Sequence, residues 1–278
     1  MRETDFAACL RAVRDTAPLV QCITNFVTVN DCANIILAAG GSPTMAHDIR
    51  EVEEAVAGVN ALVCKLGAIV DVEAMLLAGK KANELGIPVV LDPVAAGVTT
   101  LRREASARLL SDLRFAVIRG NASEIKALAG GGSGGSGVDV SAADAVTEEN
   151  LSRTVELARG LARRTGAVAA VSGAVDIVTD GEETILLRGG CPTMARITGS
   201  GCMLTALTGA FCAASPGRPL AAAAAAMAAM GAAGEMAEAR RLQNGTGNAT
   251  FRNDLIDAVF NLTETQLIQG VRYEIYQG

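Results

Sequence analysis

Gly86-Ile87-Pro88-Val89-Val90-Leu91-Asp92-Pro93 is the stretch that decides the fold. Gly86 ends a helix expected over about residues 70–85, because glycine enters the left-handed cap without steric cost. A short apolar run follows, a carboxylate stands at its far end, and Pro93 stops it. A strand that is apolar at consecutive positions is buried on both faces, as in a parallel sheet covered by helices. In such sheets ligands gather at the carboxyl ends of the strands, which is where Asp92 stands.

The pattern recurs outward in both directions. Upstream, residues 19–23 and 61–66 read as buried strands, and residues 5–15 as a surface helix. Between them a helix capped by Asn30 or Asp31 runs to Ala39 and stops at Gly40-Gly41, followed by a loop or short strand over 42–46. Downstream, residues 115–119 form a strand that exits at Arg119, with Asn121 opening a helix at Ala122. Residues 167–171 repeat the arrangement and exit at Ser172-Gly173. Residues 176–179 and 184–188 flank Asp180-Gly181, a hairpin turn pair. Two alanine-rich helices and a last helix over about 254–269 complete the chain. The expected fold class is α/β: three layers, α/β/α, around a central, mostly parallel sheet, as one domain over residues 1–278. The glycine- and serine-rich residues 130–137 lie between two αβ units and are expected as a surface loop, not a linker.

Composition narrows the function. The chain has 278 residues, half of them hydrophobic, no Trp, two Tyr and six Phe. Its interior must therefore be built from aliphatic and small side chains. A net charge of −6 and scarce aromatics argue against nucleic acid as a partner. Seven unclustered cysteines point to free thiols in a reducing cytoplasm, and the N-terminus has no apolar run of signal type. Residues 220–234 are apolar but dominated by alanine, which favours a buried helix over a membrane span. His47 is the one histidine, so multi-histidine metal sites and HExxH proteases are excluded, and His47 itself reads as a surface residue.

The chemistry-bearing segment is Thr198-Gly199-Ser200-Gly201-Cys202, which runs directly into an apolar, helix-favouring stretch over 203–214. A small-residue loop feeding a helix start presents unpaired N–H groups and the positive end of the helix dipole to an anion. Arg119 can pair with phosphate oxygens in two-pronged fashion. Asp92 and Glu124 are oxygen ligands of the kind that Mg²⁺ takes, often through water. Each has a plainer reading beside it: Asp92 as a turn residue before proline, Glu124 as a first-turn charge in a helix capped by Asn121.

Six stretches carry a family resemblance: residues 21–28 (QCITNFVT), 41–46 (GSPTMA), 90–94 (VLDPV), 118–125 (IRGNASEI), 171–173 (VSG) and 197–202 (ITGSGC). The chain resembles the hydroxyethylthiazole kinases of the ribokinase-like superfamily over about residues 19–267. The resemblance implies transfer of the ATP γ-phosphoryl group to the primary hydroxyl of 4-methyl-5-(2-hydroxyethyl)thiazole, with Mg²⁺. It also implies a cytoplasmic homotrimer with substrate sites between subunits. Position by position, it implies that Met45 and Gly199 contact the thiazole, with Asn25 close by. It further implies that Arg119 and Ser172 contact ATP and that Asn121 and Glu124 form the superfamily's Asn-x-x-Glu motif. Cys202 stands where ribokinase-like enzymes usually place an aspartate base and the resembling thiazole kinases a cysteine. Lys65 stands where relatives often carry asparagine, and no role is carried over to it.

The helix start would lower the Cys202 pKa from ~8.5 and a bound polyanion would raise it again, so the thiol is a modest base. The Gly199–Ser200–Gly201 loop is therefore expected to supply more of the catalysis than Cys202. Rival readings are a thiol-dependent transferase with Cys202 as nucleophile and a regulator that kept the fold but lost catalysis. Within the fold the rivals are a hydroxymethylpyrimidine kinase and an ADP-dependent NAD(P)H-hydrate dehydratase, both expected to carry aspartate at position 202.

Overall fold

Strand parity organises the structure. The computed structural model describes residues 2–130, 146 and 149–278, so most of the expected 130–137 loop lies outside the described residues. Six strands run parallel: β1 (Leu19–Ile23), β2 (Ser42–Thr44), β3 (Ala61–Lys65), β4 (Val89–Asp92), β5 (Val117–Asn121) and β6 (Val168–Ser172). β7 (Asp176–Thr179), β8 (Thr184–Arg188) and β9 (Arg272–Ile275) continue the sheet antiparallel, giving the order β2-β1-β3-β4-β5-β6-β7-β8-β9.

Alternate residues of each strand enter two separate cores. Cys22, Val63, Val90, Val117 and Ala170 face one layer of helices. That layer holds α1 (Glu3–Thr16), α2 (Val29–Ala39), α8 (Ser200–Ala214), α9 (Pro219–Asn244), α10 (Asn248–Asn261) and α11 (Glu264–Gly270). Ile23, Leu62, Leu91, Ile118 and Val171 face the other. It holds α3 (Val52–Ala57), α4 (Val72–Leu85), α5 (Thr100–Asp112), α6 (Ala122–Leu128) and α7 (Leu151–Thr165). The expected α/β/α sandwich with a mostly parallel sheet is what forms.

The opening stretch behaves as read: Gly86 takes φ 70° as the cap of α4, and all four residues of β4 are buried. α9 is long and apolar enough to cross a membrane by length and composition, yet 67% of that window is buried. Its alanines let it approach α8, α10 and the sheet closely, with Ala222–Ala226 fully covered.

Three expectations need correction. Helix α2 is capped by neither Asn30 nor Asp31: Thr28 is its N-cap, and both residues lie inside the helix. The last helix is not continuous over 254–269: α10 ends at Asn261, and Thr263 opens α11 with a reciprocal cap to Gln266. That cap satisfies first-turn N–H groups that a straight helix would not leave exposed. The C-terminal residues also add β9, a half-exposed edge strand on β8 that the sequence reading left unassigned.

Candidate active site

The parity that fills the α8-side core with Val63, Val90, Val117 and Ala170 also aims the last residues of β3, β4 and β6 and the third residue of β5 at that side. Lys65 lies two residues beyond Val63, Asp92 two beyond Val90, Arg119 two beyond Val117, and Ser172 two beyond Ala170. The N-terminus of α8 sits over them. Thr205, on its second turn, donates to Asp92 Oδ2 at 2.8 Å and pins the helix to β4. Arg119 donates to Ser172 Oγ from beneath Gly201. Lys65 donates to the main-chain carbonyl of Cys202 and to Cys32 Sγ at 2.9 Å.

The phosphate-loop candidate takes the expected form. Gly199 is the N-cap of α8 at φ 84°, and no side chain caps the first turn. The first intrahelical bond runs from Met203 N to Gly199 O, so the N–H groups of Ser200, Gly201 and Cys202 have no helical acceptor. A methyl at either glycine would force a neighbour to move: at Gly199 it also meets a left-handed backbone, and at Gly201 the Arg119 guanidinium would have to shift. A Cβ on Gly199 would stand 2.8 Å from Thr28 Cγ2, and one on Gly201 2.7 Å from the Arg119 guanidinium. The backbone is packed between Thr28 on one flank and Arg119 below.

On the other flank Asn25 Oδ1 accepts from Thr28 N at 3.0 Å and from Thr28 Oγ1 at 3.2 Å. Asp31, buried beside Gly199, is held by Arg252 of α10. Met45, just past β2, packs half-buried against the α2–α8 core, and its carbonyl meets His47 Nδ1 at 3.1 Å. His47 is exposed, as expected. The structure thus brings Asn25 and Gly199 to one end of the sheet through Thr28.

Asn121 and Glu124 form a reciprocal cap on α6: Asn121 Oδ1 accepts from Glu124 N at 2.9 Å, and Glu124 Oε2 from Asn121 N at 2.8 Å. Glu124 Oε1 also accepts from Ala95 N at 2.9 Å. Ala95 has φ 56°, a left-handed conformation costly for a residue with a Cβ, and the Glu124 carboxylate holds it there. Burial, and then the Asp92 charge, push Glu124 up to about 7. Folded Glu124 therefore holds a proton over a window where an ordinary carboxyl near 4.5 has lost it. Its contribution to stability is present below about 4.5 and is lost as pH rises through about 7. Denaturant unfolding from acid to neutral pH should show this decline in the wild type and its absence in Glu124→Gln. Parallel pH profiles for the two proteins would refute it.

Cys202 is half-buried at the third helical position. Burial pushes its thiol up and the Asp92 charge adds to this, while the Lys65 ammonium and a hydrogen bond with Thr28 oppose. Desolvation outweighs the lowering expected from the helix start. Residues that sequence reading gave no role, Lys65, Thr205, Thr28 and Ala95, are all built into the site, as is Asp31, which it read only as a helix cap. Lys65 had a signal, as a lone charge closing an apolar strand. A cavity of 480 Å³ opens at the exits of β6 and β8, lined by residues including Val175, Gly189, Gly190, Arg188 and Arg272.

The sequence model of the Hydroxyethylthiazole kinase family matches residues 10–265. The chain belongs to this family. It is 47% identical over 269 residues to a hydroxyethylthiazole kinase of Clostridium acetobutylicum, covering 96% of this chain and 98% of that protein. To one from Desulfovibrio desulfuricans it is 52% identical over 215 residues, 77% of this chain and 75% of the relative. The solved hydroxyethylthiazole kinase of Pyrococcus horikoshii OT3 superposes with a TM-score of 0.86 at 34% identity, covering 99% of this chain and all of that one. Staphylococcus aureus pyridoxal kinase in complex with ADP, at TM-score 0.58 and 17% identity over 78% of this chain and 87% of that one, shares the ribokinase-like fold.

Proposed function

We propose that this chain phosphorylates the primary hydroxyl of 4-methyl-5-(2-hydroxyethyl)thiazole with ATP, giving the monophosphate for thiamine biosynthesis or salvage. The observation that carries this is the uncapped first turn of α8 lying directly over Arg119 in a chain of this family. Phosphoryl transfer passes through a loose transition state, so catalysis is mainly positioning and charge stabilisation. The N–H groups of Ser200, Gly201 and Cys202 receive the transferring group's oxygens, and Arg119 neutralises charge from below.

Ser172 orients the Arg119 guanidinium and faces ATP with it. The cavity that opens two residues past Ser172 has the size and position for the nucleoside. Met45, Gly199 and Asn25 hold the thiazole alcohol with its hydroxyl toward Cys202. Burial raises the Cys202 pKa and keeps it mostly as the thiol at neutral pH, so only its small thiolate fraction accepts the hydroxyl proton, and otherwise the proton leaves to water.

Mg²⁺ fits this donor set in one way. Among the described residues no cluster of three ligating side chains exists, so a protein cage is absent. Mg²⁺ retains water and binds through one or two carboxylates plus substrate phosphates, which suits Asp92 directly. Both Glu124 oxygens already accept backbone N–H groups, so Glu124 would hold the ion through water. When bound, the ion would neutralise charge on the phosphates.

The reading includes a cytoplasmic homotrimer with sites between subunits. Phe26 and Val27, directly after Asn25, are 83% and 71% exposed, an apolar surface beside the acceptor pocket that a neighbouring subunit would cover.

Initial rates with ATP and Mg²⁺ on the thiazole alcohol and on hydroxymethylpyrimidine test the assignment. The thiazole alcohol should be preferred by about 100-fold or more, and chelation with EDTA should stop turnover. Equal or reversed preference would replace this reading with the pyrimidine kinase.

A further inference from the structure

The phosphate loop has one neighbour that the functional reading leaves unused. Lys65 ends β3 with no exposed surface, and its ammonium makes two hydrogen bonds. One goes to Cys32 Sγ on α2, the other to the carbonyl of Cys202 in the first turn of α8. A lysine amine carries three donors, and a fully buried one is rare unless paired with a carboxylate. The nearest carboxylate in the sheet is Asp92, its register partner on β4. Asp92, however, accepts from Thr205, and Lys65 makes no salt bridge with it among the described residues.

Positive groups converge on this turn. A helix N-terminus is already positive, Arg119 lies beneath Gly201, and Lys65 adds a third positive centre against the same turn. Like-signed groups gathered around one pocket favour an anion entering it. Burial works against the Lys65 charge, but the Asp92 carboxylate on the neighbouring strand and the two acceptors on its ammonium favour it, and the group is held up as an ammonium.

We propose that Lys65 is a positioning residue for phosphoryl transfer: it fixes the first turn of α8 through the Cys202 carbonyl and supports a γ-phosphate bound on that turn with its charge. This rests on the kinase reading above. Lys65 reaches no substrate. It acts through the turn whose N–H groups do, at a separation of about one helical turn, ~5 Å. A charge at that range in a largely buried site changes anion affinity by about 10-fold.

Three proteins test it: the wild type, Lys65→Met and Lys65→Arg, with Lys65→Gln made if the methionine variant does not fold. Calorimetric titration with a non-hydrolysable ATP analogue and with AMP is combined with steady-state rates on the thiazole alcohol. Removing the charge should weaken the triphosphate analogue about 10-fold and leave AMP within about 2-fold. It should lower kcat by about 100-fold while the KM for the thiazole alcohol stays within about 3-fold. Lys65→Arg should regain most of the triphosphate affinity. Triphosphate binding unchanged in Lys65→Met, or affinity for both nucleotides lost alike, overturns the role, the second outcome indicating a merely structural residue. A wild type that neither binds the triphosphate nor phosphorylates the alcohol overturns the kinase reading and the proposal together. Wild-type turnover matched by Lys65→Met overturns the proposal alone.

Discussion

Gly199→Ala and Gly201→Ala are each expected to lower kcat/KM for ATP by about 1,000-fold, whereas Cys202→Ala should keep turnover within about 100-fold of wild type. The glycine effects have separate physical causes. At position 199 a methyl must occupy φ 84°, at a cost of about 1–2 kcal/mol, and meets Thr28 Cγ2 at 2.8 Å. Relief comes only by tilting the first turn of α8 away from the Asn25–Thr28 side. At position 201 the backbone is relaxed, but the methyl lands 2.7 Å from the Arg119 guanidinium, so the two anion-binding elements are pushed apart. Cys202, by contrast, supplies one thiol that burial keeps mostly protonated at neutral pH, so little of it is available as a base. Its alanine variant keeps its own N–H group and both glycines, and water can take the proton. Cys202→Asp should match or exceed the wild type. Near-zero kcat in Cys202→Ala, with ATP and thiazole still bound, would show that the thiol rather than the loop dominates.

Much of the site was legible because sheet parity is legible. The β4 run 89–92 announces its own ends, and counting by twos from Val63, Val90, Val117 and Ala170 reaches Lys65, Asp92, Arg119 and Ser172. What the sequence could not show is which helix receives them. That depends on Thr205 reaching Asp92 across 113 residues, a contact no local pattern encodes. The break between α10 and α11 did carry a local signal, Thr263-x-x-Gln266. It was masked because buried apolar residues run at helical spacing through Leu255, Val259 and Leu262, across the end of α10, and Leu267 follows soon after. β9 was hidden for the opposite reason: Arg272-Tyr-Glu-Ile is polar and half-exposed, and only an open edge of β8 makes it a strand.

The two readings of Asn121 and Glu124, helix cap or ligand, turn out not to compete in space. The cap consumes one Glu124 oxygen and Ala95 N the other, which couples the β4 exit loop to the β5 exit. The residue that closes the helix also fixes the loop after Asp92. A side chain with both oxygens bonded is held rigid, as the proposed water-mediated hold on Mg²⁺ would require.

Arg119→Met should reduce kcat/KM for ATP by about 1,000-fold while leaving the protein as stable as the wild type or about 1 kcal/mol more stable. The activity loss follows from position: Arg119 is the cation directly beneath the α8 turn, and its orientation is set by Ser172. The stability argument runs the other way. Arg119 is buried, and its Nε has no hydrogen-bond partner among the described residues. A buried donor left unpaired costs about 1–3 kcal/mol, and replacing a buried charged group by an apolar one of similar length removes that penalty. Part of the gain is offset, because Arg119 holds down the pKa of Glu124 and Asp176, and both carboxyls lose that support. Urea unfolding without nucleotide, set beside ATP titration of the same protein, separates the two effects. An active-site role predicts that ATP stabilises the wild type and fails to stabilise Arg119→Met. A variant markedly less stable without nucleotide would mean that Arg119 holds the fold together, and that its unpaired Nε is no sign of a place kept for phosphate.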